Sequence, residues 1–238
     1  MLPILFQDDH LVAIHKPAGL LVHRTRIDAH DRSCALQQLR QQLGRWVYAV
    51  HRLDKGTSGV LLFALTPEVG RRLSAMFADQ IVEKTYLAIV RGHPPETGVI
   101  DQALQPLDEG GALPTAPKNA VTHFRRLAEI ELPHAVDRYP TSRYALVELQ
   151  PLTGRRHQLR RHMKHISHPI IGDATYGKGR HNRLFRDLFG SDRLLLACVV
   201  LRLPHPVTGE SLRCSAPLEK GFADVVERLG WSAQVRQR

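Results

Sequence analysis

The sequence has 238 residues, of which 43% are hydrophobic and 24% charged, enough for a sizeable folded core and unlike a disordered chain. No apolar run approaches the roughly 18 residues of a membrane span, and the amino terminus lacks the basic start and apolar stretch of a signal peptide. We therefore expect a cytoplasmic protein. The three cysteines are far apart and form no Cys-x-x-Cys pair, which predicts reduced, mostly buried thiols rather than disulfides or a zinc knuckle.

The net charge of +10 is concentrated in one segment. Residues 151–186 contain nine lysines and arginines but one acid, Asp173. A solvated basic face is the ordinary explanation of such a run, but the interspersed acids of an ordinary surface are missing here. Many cations in one segment favour a polyanionic partner, because each can neutralise a phosphate and release its counterion. The charge pattern thus predicts contact with nucleic acid.

Apolar periodicity and turn residues predict an alternation of strands and helices. The first helix has Asp31 or Ser33 available as its cap and Gly44 as its terminator, and the second has Thr66 as its cap. The predicted elements, in chain order, are a hairpin of strands 11–14 and 20–22, a helix over 33–43, a strand over 60–65, a helix from Pro67, a strand over 85–90, an irregular excursion over 93–119, strands over 121–132 and 144–149, a basic helix over 155–166, a hairpin of strands 194–203 and 211–215, and a helix over 222–229.

An acid lies on a glycine-punctuated turn directly before the strand predicted over 60–65. The turn reads Val-His-Arg-Leu-Asp-Lys-Gly-Thr-Ser-Gly over 50–59, and its acid is Asp54. Such a turn can present a carboxylate at the edge of a sheet. Taken alone, the segment is more typical of an ordinary turn, in which an aspartate bonds to its own backbone.

Four further segments give the Asp54 turn its context. They are Lys-Pro-Ala-Gly at 16–19, Lys-Thr-Tyr-Leu-Ala-Ile-Val at 84–90, Thr-Gly-Arg-Arg-His-Gln-Leu-Arg at 153–160, and His-Pro-Ile-Ile-Gly-Asp at 168–173 with Tyr-Gly at 176–177. Together with the Asp54 turn, these ordered blocks resemble the RluA family of pseudouridine synthases over nearly the whole chain. One departure is the Leu-Ala-Cys at 196–198, where relatives usually carry Leu-His-Ala. The role of that histidine cannot be essential if this chain is active.

The resemblance implies a fold and a domain organisation. We expect a single α+β catalytic domain over 1–238, with a mixed, mostly antiparallel central sheet flanked by helices and loops. No S4 RNA-binding domain is expected in front of it. The resemblance further implies a cleft where the Asp54 turn, the Tyr86 strand and the Arg160 helix meet, with residues 151–186 as a basic wall.

The resemblance also implies roles for individual residues. Asp54 is the expected catalytic carboxylate, which either attacks C1′ or C6 of the uridine or stabilises positive charge as the glycosidic bond breaks. Arg160 is the expected cation beside it, since a neighbouring opposite charge keeps a carboxylate ionised. Tyr86 corresponds to a tyrosine that stacks on the uracil and is a candidate for removing the C5 proton. Arg52 corresponds to an arginine that fills the stack vacated by the extruded base.

RNA is the implied partner, and no cofactor is needed, because the reaction is an isomerisation. The expected RNA-binding residues are Arg52, Arg155, His157, Gln158, Arg161 and Lys164. Residues 138–144, 161–162 and 178–183 are most similar to family members that modify uridine 65 in the acceptor/T-arm region of tRNA. Ribosomal RNA is the alternative substrate. We expect a monomer, because no heptad seam or self-pairing motif is visible.

Other functions fit the sequence less well. A non-catalytic RNA-binding module would need only the basic segment, and it would have no use for Asp54, Arg160 and Tyr86. Histidines 157, 162, 165 and 168 suggest a metal site, but neighbouring cations repel a divalent ion and no carboxylate or thiol completes a ligand set. A phosphate-binding loop is disfavoured because 56–59 lacks the required spacing, and no Gly-x-Ser-x-Gly elbow is present.

Overall fold

Two units make up the chain in the computed structural model, which describes residues 1–23, 33–107 and 116–236. Unit 1 comprises Met1–Lys84 and Cys198–Pro217, and unit 2 comprises Thr85–Ala197 and Leu218–Arg238. The single domain over 1–238 that the sequence suggests stays a prediction. Among the described residues, no helix is both long and apolar enough to cross a membrane.

Short strands and helices succeed one another along the chain, and the fold class is α+β, as predicted. The elements are β1 Ile4–Gln7, β2 Leu11–Lys16, α1 Ala35–Leu43, β3 Tyr48–Ala49, β4 Ser58–Ala64, α2 Pro67–Ala78, β5 Glu83–Arg91, β6 Thr97–Asp101, β7 Val121–Leu132, β8 Ser142–Pro151, α3 Gln158–His165, α4 Gly179–Phe189, β9 Leu196–Pro204, β10 Ser211–Ser215, α5 Lys220–Arg228 and α6 Ser232–Arg236.

In unit 1, the strand order is β1-β2-β4-β9, with β3 also pairing with β4 and β10 pairing with β9. The β4 strand is buried along its whole length, because it has neighbours on both sides and side chains packed on both faces. Gly59 has a φ of +113°, and a Cβ at this position would lie 2.0 Å from the carbonyl oxygen of Cys198 in β9. Only glycine therefore lets these two strands approach directly after the Asp54 turn.

In unit 2, the strand order is β5-β8-β7-β6, and each of these strands is antiparallel to its neighbour. Helix α3 packs on this sheet through Leu159 and Met163, which join a core formed by apolar residues of β5, β7 and β8. Half-buried Ile166 also packs there. The basic segment is thus held to the sheet by the apolar face of its helix.

Most predicted elements are present, but the first hairpin is wrong. Residues 11–14 lie in β2, whose partners are β1 and β4. Leu21 makes only an isolated parallel bridge with Cys34. The Lys-Pro-Ala-Gly turn instead faces the Asp54 turn, as described below. The β9–β10 hairpin is confirmed, with Leu203 opposite Leu212.

The helix ends agree with the sequence only in part. Thr66 caps α2 by accepting a hydrogen bond from the Val69 amide at 3.3 Å, and Gly44 ends α1 with a φ of 64°, as predicted. Ser33 does not cap α1: its hydroxyl accepts a hydrogen bond from the side chain of Gln38. Asp31 lies outside the described residues.

Three elements of unit 2 were not expected: β6, α4 and the short closing helix α6. Strand β6 lies inside the excursion predicted over 93–119, where Pro and Gly mask a five-residue strand whose fully buried apolar residue is Ile100. Helix α4 presents mainly His181 and Phe185 to the interior, too short an apolar stripe to stand out in a basic segment. Helix α3 begins at Gln158 and ends at His165, so it is shorter than the predicted 155–166.

Candidate active site

Residues 54–57 of the Asp54 turn lead directly into β4, which begins at Ser58. The Thr57 amide donates a hydrogen bond to the Asp54 carbonyl oxygen at 3.0 Å, which closes the turn. Leu53 is buried on one side of Asp54 and Thr57 on the other, whereas the Asp54 side chain is half-buried and Arg52 is exposed. The turn is therefore anchored at both ends, and Asp54 between them is only partly buried.

Lys16 is a fully buried cation that ties the Lys-Pro-Ala-Gly turn to the Asp54 turn. Its ammonium group donates to the carbonyl oxygens of Pro17 at 2.8 Å, Leu20 at 2.7 Å and Lys55 at 3.2 Å. The Gly19 amide, at a φ of 82°, donates to the same Lys55 carbonyl at 2.8 Å. A buried ammonium is stable only when its protons are matched by acceptors, so these bonds fix the backbone directly after Asp54.

His51 anchors the other side of the Asp54 turn to β4. Its Nε2 accepts a hydrogen bond from the Leu62 amide at 2.9 Å, and its ring stacks on Phe77 with centroids 4.5 Å apart. Burial, assisted by the positive charge of Lys84, lowers the pKa of His51 to about 3. His51 is therefore neutral near pH 7, as an acceptor at Nε2 requires.

Tyr86 lies in unit 2 on β5, opposite Leu149 of β8. Its side chain is half-buried and packs against the apolar core of the unit. Part of the ring therefore supports the core while part stays accessible. Both the structural role of a strand tyrosine and the predicted stacking role fit this position.

Arg160, on α3, forms a buried two-point ion pair with Asp173. Arg160 Nε lies 2.7 Å from Asp173 Oδ2, and Nη2 lies 2.9 Å from Oδ1. The Tyr176 ring lies beneath the same guanidinium, 5.1 Å from its carbon to the ring centroid. The two contacts hold the plane of the guanidinium in one orientation.

Asp173 is itself held by the turn in which it lies. Its Oδ1 accepts hydrogen bonds from the amides of Thr175 and Tyr176, both at 2.9 Å. Burial alone would raise the pKa of Asp173, but Arg160 and these amides together lower it below its usual value. Asn182 of α4 donates to the Asp173 carbonyl at 3.0 Å and accepts from the Gly172 amide at 2.9 Å.

His157 has a left-handed backbone, with a φ of 55°, immediately before α3. Its Nδ1 lies 3.1 Å from the hydroxyl of Tyr176, and the two rings meet edge to face. Lys164, one turn along α3 from Arg160, places its Nζ 5.9 Å from the centroid of the Tyr176 ring. Unit 2 thus brings His157, Arg160 and Lys164 around one tyrosine.

The remaining predicted RNA-binding residues differ in exposure. Arg155 is exposed and donates to the Asn119 carbonyl at 3.0 Å, and half-buried Arg161 donates to the Gln105 carbonyl at 2.8 Å. Gln158 is buried, and its amide bonds to the hydroxyl of Thr153 and to residues 121, 122 and 155. These contacts occupy the oxygen and nitrogen of the Gln158 amide and give the residue a structural role at the start of α3, while its RNA contact stays a prediction.

Two of the histidines that suggested a metal site have protein partners instead. His162 bonds Thr122 Oγ1 at 3.0 Å and the Gln102 carbonyl at 3.1 Å, and His168 bonds the Arg91 carbonyl at 2.9 Å. Over residues 1–23, 33–107 and 116–236, no group of three or more His, Cys, Asp or Glu is placed to hold a metal ion. The cysteines are free and buried, as predicted.

The sequence pointed to Asp54, Arg160 and Tyr86 but assigned no role to the residues that hold them. Lys16 and His51 stood in recognised blocks, yet buried hydrogen bonding by a lysine has no sequence pattern of its own. Asp173 carried a usable signal, since it is the one acid among nine cations in 151–186. An acid retained in such a segment is expected to pair with one of those cations.

Comparisons with known proteins place these residues in a family context. The model of the family described as "RNA pseudouridylate synthase" matches residues 10–165. A protein of Pectobacterium carotovorum subsp. carotovorum named tRNA pseudouridine synthase C is 50% identical over 97% of this chain, which covers 63% of that relative's length. The protein of the same name from Vibrio parahaemolyticus is 45% identical, over 98% of this chain and 97% of its own length.

A solved structure agrees with these sequence matches. Human RNA Pseudouridylate Synthase Domain Containing 4 superposes with a TM-score of 0.72 and 29% identity, over 96% of this chain and 93% of the human chain. The similarity extends well beyond the 10–165 segment and includes the α4 and β9–β10 regions.

The neutral state of His51 predicts a pH dependence of stability. Below about pH 6.5 the unfolded chain protonates His51 and the folded chain does not, so folding should lose about 1.4 kcal/mol per pH unit from this group. In His51→Gln, an amide oxygen can accept from Leu62 without titrating. We expect the wild type to be the more stable protein at pH 7, and its advantage to shrink as the pH falls towards about 4. Urea unfolding of both proteins across this range measures the difference.

His162, His168 and His181 also have a lowered pKa, chiefly through burial, but they are present in both proteins and cancel in the comparison. Parallel stability curves for wild type and His51→Gln would show that His51 is not kept neutral by the fold.

Proposed function

Since this chain belongs to the RNA pseudouridylate synthase family, we propose that it isomerises a uridine of tRNA to pseudouridine, with Asp54 as the catalytic carboxylate. The observation that carries the proposal is the construction of the Asp54 turn. Lys16 bonds the carbonyl oxygen of Lys55, directly after Asp54, and His51 bonds the Leu62 amide of β4, while Asp54 itself is half-buried. Catalysis benefits when a reacting group is held in place before the substrate arrives.

The proposed reaction breaks the N1–C1′ bond of uridine, turns the base and forms a C5–C1′ bond. The proton leaves C5, and N1 of the product carries one, so atoms balance without an external reactant. A carboxylate can assist by attacking C1′ or C6, or by stabilising positive charge on the ribose as the bond breaks. All three routes require the carboxylate of Asp54 to be ionised. The reaction consumes no cofactor.

Tyr86 and Arg160 are proposed to complete the chemistry. An accessible part of the Tyr86 ring can stack on the uracil, and its hydroxyl is the candidate acceptor for the C5 proton. Arg160 is proposed to supply the positive charge that favours ionised Asp54. This pairing stays a prediction, because the two residues belong to different units. What supports it is the fixed orientation of the guanidinium, which Asp173 and Tyr176 hold.

The cations of α3 and the exposed Arg52 are proposed to bind RNA. Arg155, Arg161 and Lys164 can contact phosphates, and the strained His157 stands at the amino terminus of α3, where amides attract anions. Arg52 is proposed to occupy the space vacated by the extruded base, offsetting part of the few kcal/mol that unstacking costs.

The choice of tRNA rests on the names of the relatives at 45–50% identity. Uridine 65 of the acceptor/T-arm region is the proposed target, and ribosomal RNA is the alternative substrate. We propose that the enzyme acts as a monomer in the cytoplasm, where its substrate is found.

The Asp54→Asn variant tests the proposed chemistry. An amide has nearly the shape of the carboxylate but can neither attack carbon nor balance positive charge, so we expect the rate to fall by at least about 10⁴-fold. Tritium release from tRNA labelled at uridine C5 measures the reaction, and mapping of pseudouridine identifies the nucleotide.

Wild-type protein that releases no tritium from tRNA or from ribosomal RNA, yet binds both, would favour the non-catalytic binding module instead. Release from ribosomal RNA alone would keep the enzyme and change its substrate. A full rate in Asp54→Asn would remove Asp54 from the mechanism.

The Asp173→Asn variant tests whether Asp173 orients Arg160. The substitution removes the charge and one acceptor oxygen of the pair, so the guanidinium loses its fixed plane. We expect kcat to fall by about 10- to 100-fold with little change in KM, since RNA binding depends on other cations. Asp224→Asn is the matched control, because Asp224 pairs with Lys220 on the surface of α5. A folded Asp173→Asn protein with wild-type kcat would contradict the positioning role.

A further inference from the structure

Unit 2 carries a second basic surface, which includes an exposed aromatic ring. It consists of residues 133–141, which form the tip of the β7–β8 hairpin, and residues 178–183, which begin helix α4; we call it the hairpin-tip surface. Its charged residues are Arg138, Lys178, Arg180 and Arg183 against Asp137, a net charge of +3. All four cations are exposed.

Asp137 joins the hairpin tip to helix α4. Its Oδ2 lies 3.2 Å from Nε2 of His181 and 3.5 Å from Nη2 of Arg91, and its Oδ1 lies 3.7 Å from Nη1 of Arg180. The hydrogen bond with His181 is the main cause that lowers the pKa of Asp137, and the charges of Arg91 and Arg180 lower it further. Buried His181 also bonds the Tyr144 hydroxyl of β8 at 2.7 Å through Nδ1. The tip and the helix are thus held in a fixed arrangement.

Tyr139 stands on this surface with 58% of its area exposed. Arg138 lies over its ring, 5.0 Å from the guanidinium carbon to the ring centroid, and donates to its hydroxyl at 2.9 Å. An exposed tyrosine offers a planar face on which a nucleobase can stack. A tyrosine whose orientation is fixed by an arginine is a ready platform for a nucleobase.

Helix α4 connects the hairpin-tip surface to the residues that hold Arg160. Asn182, between Arg180 and Arg183, bonds the Gly172-Asp173 turn whose carboxylate orients Arg160. This turn of helix α4 therefore has two roles. Half-buried Asn182 supports the turn that holds Arg160, and Arg180 and Arg183 are exposed.

We propose that the hairpin-tip surface binds the substrate tRNA outside the modified nucleotide, with Tyr139 stacked on an unpaired base and Arg138, Arg180 and Arg183 on phosphates. The inference rests on the proposed function, because RNA is its substrate. The net positive charge and the fixed Arg–Tyr pair are complementary to a phosphate backbone with an accessible base. An acidic protein would match the charge and would leave the planar ring without a specific partner.

Binding of tRNA tests the surface directly. We expect Tyr139→Ala to weaken tRNA binding by about tenfold through loss of one base stack, and to raise KM with kcat unchanged. Tyr139→Phe keeps the ring and should bind almost as tightly as the wild type. Arg180→Ala should reduce the slope of log K against log salt by about one, as removal of one phosphate contact predicts.

The affinities and salt slopes are measured by filter binding at increasing KCl concentrations. Unfolding midpoints check that each variant is folded. Lys220→Ala is the control, since Lys220 is an exposed cation on α5. Wild-type affinity and salt slope in Tyr139→Ala and Arg180→Ala would overturn the proposal, as would equal losses in Lys220→Ala. If the wild-type protein releases no tritium, only the proposed reaction is contradicted. The binding comparison then still tests whether the hairpin-tip surface binds tRNA.

Discussion

The arrangement of unit 1 around Asp54 depends on one buried ammonium group. Lys16 has no exposed area, and its protons are received by three backbone carbonyls, two from its own turn and one from Lys55. An ammonium without acceptors would cost several kcal/mol in this environment, roughly the total stability of many small domains. The chain can bury Lys16 only if the Lys-Pro-Ala-Gly turn and the Asp54 turn lie side by side. The position of the carboxylate is in this way coupled to folding itself.

In unit 2 the buried charge is a carboxylate surrounded by donors, where unit 1 has an ammonium surrounded by acceptors. Asp173 is enclosed and surrounded by donors, two from its own turn and two from Arg160. Buried ion pairs contribute little net stability, since desolvation of both charges offsets most of the attraction. Their value here is geometric, because a two-point bond allows the guanidinium one orientation. Each unit therefore stabilises a proposed catalytic group through a buried charge that is not itself expected to react.

The sequence predicted the groups that react better than the groups that hold them. Asp54, Tyr86 and Arg160 lie in blocks with a distinctive order, and β7 was predicted with its observed bounds because its apolar pattern runs along one long strand. The first hairpin was wrong because Pro17 and Gly19 indicate a turn and cannot indicate what faces it. Helix α4 was missed because its interior contact is a hydrogen-bonded histidine, which reads as one more basic residue. The structural role of Gln158 could not be predicted, because its amide bonds two backbone groups and the hydroxyls of Thr122 and Thr153, which only the fold brings together.

The most direct test of this account is kcat for Lys16→Met, measured by tritium release from C5-labelled tRNA under saturating conditions. Methionine has a similar length and fits an apolar site but cannot bond the three carbonyls. The account predicts a protein that is less stable but folded at low temperature, with unchanged tRNA binding and a kcat lowered by about 100-fold, because Asp54 is no longer held in place. A folded Lys16→Met protein with wild-type kcat would contradict the claim that this buried charge positions the catalytic carboxylate.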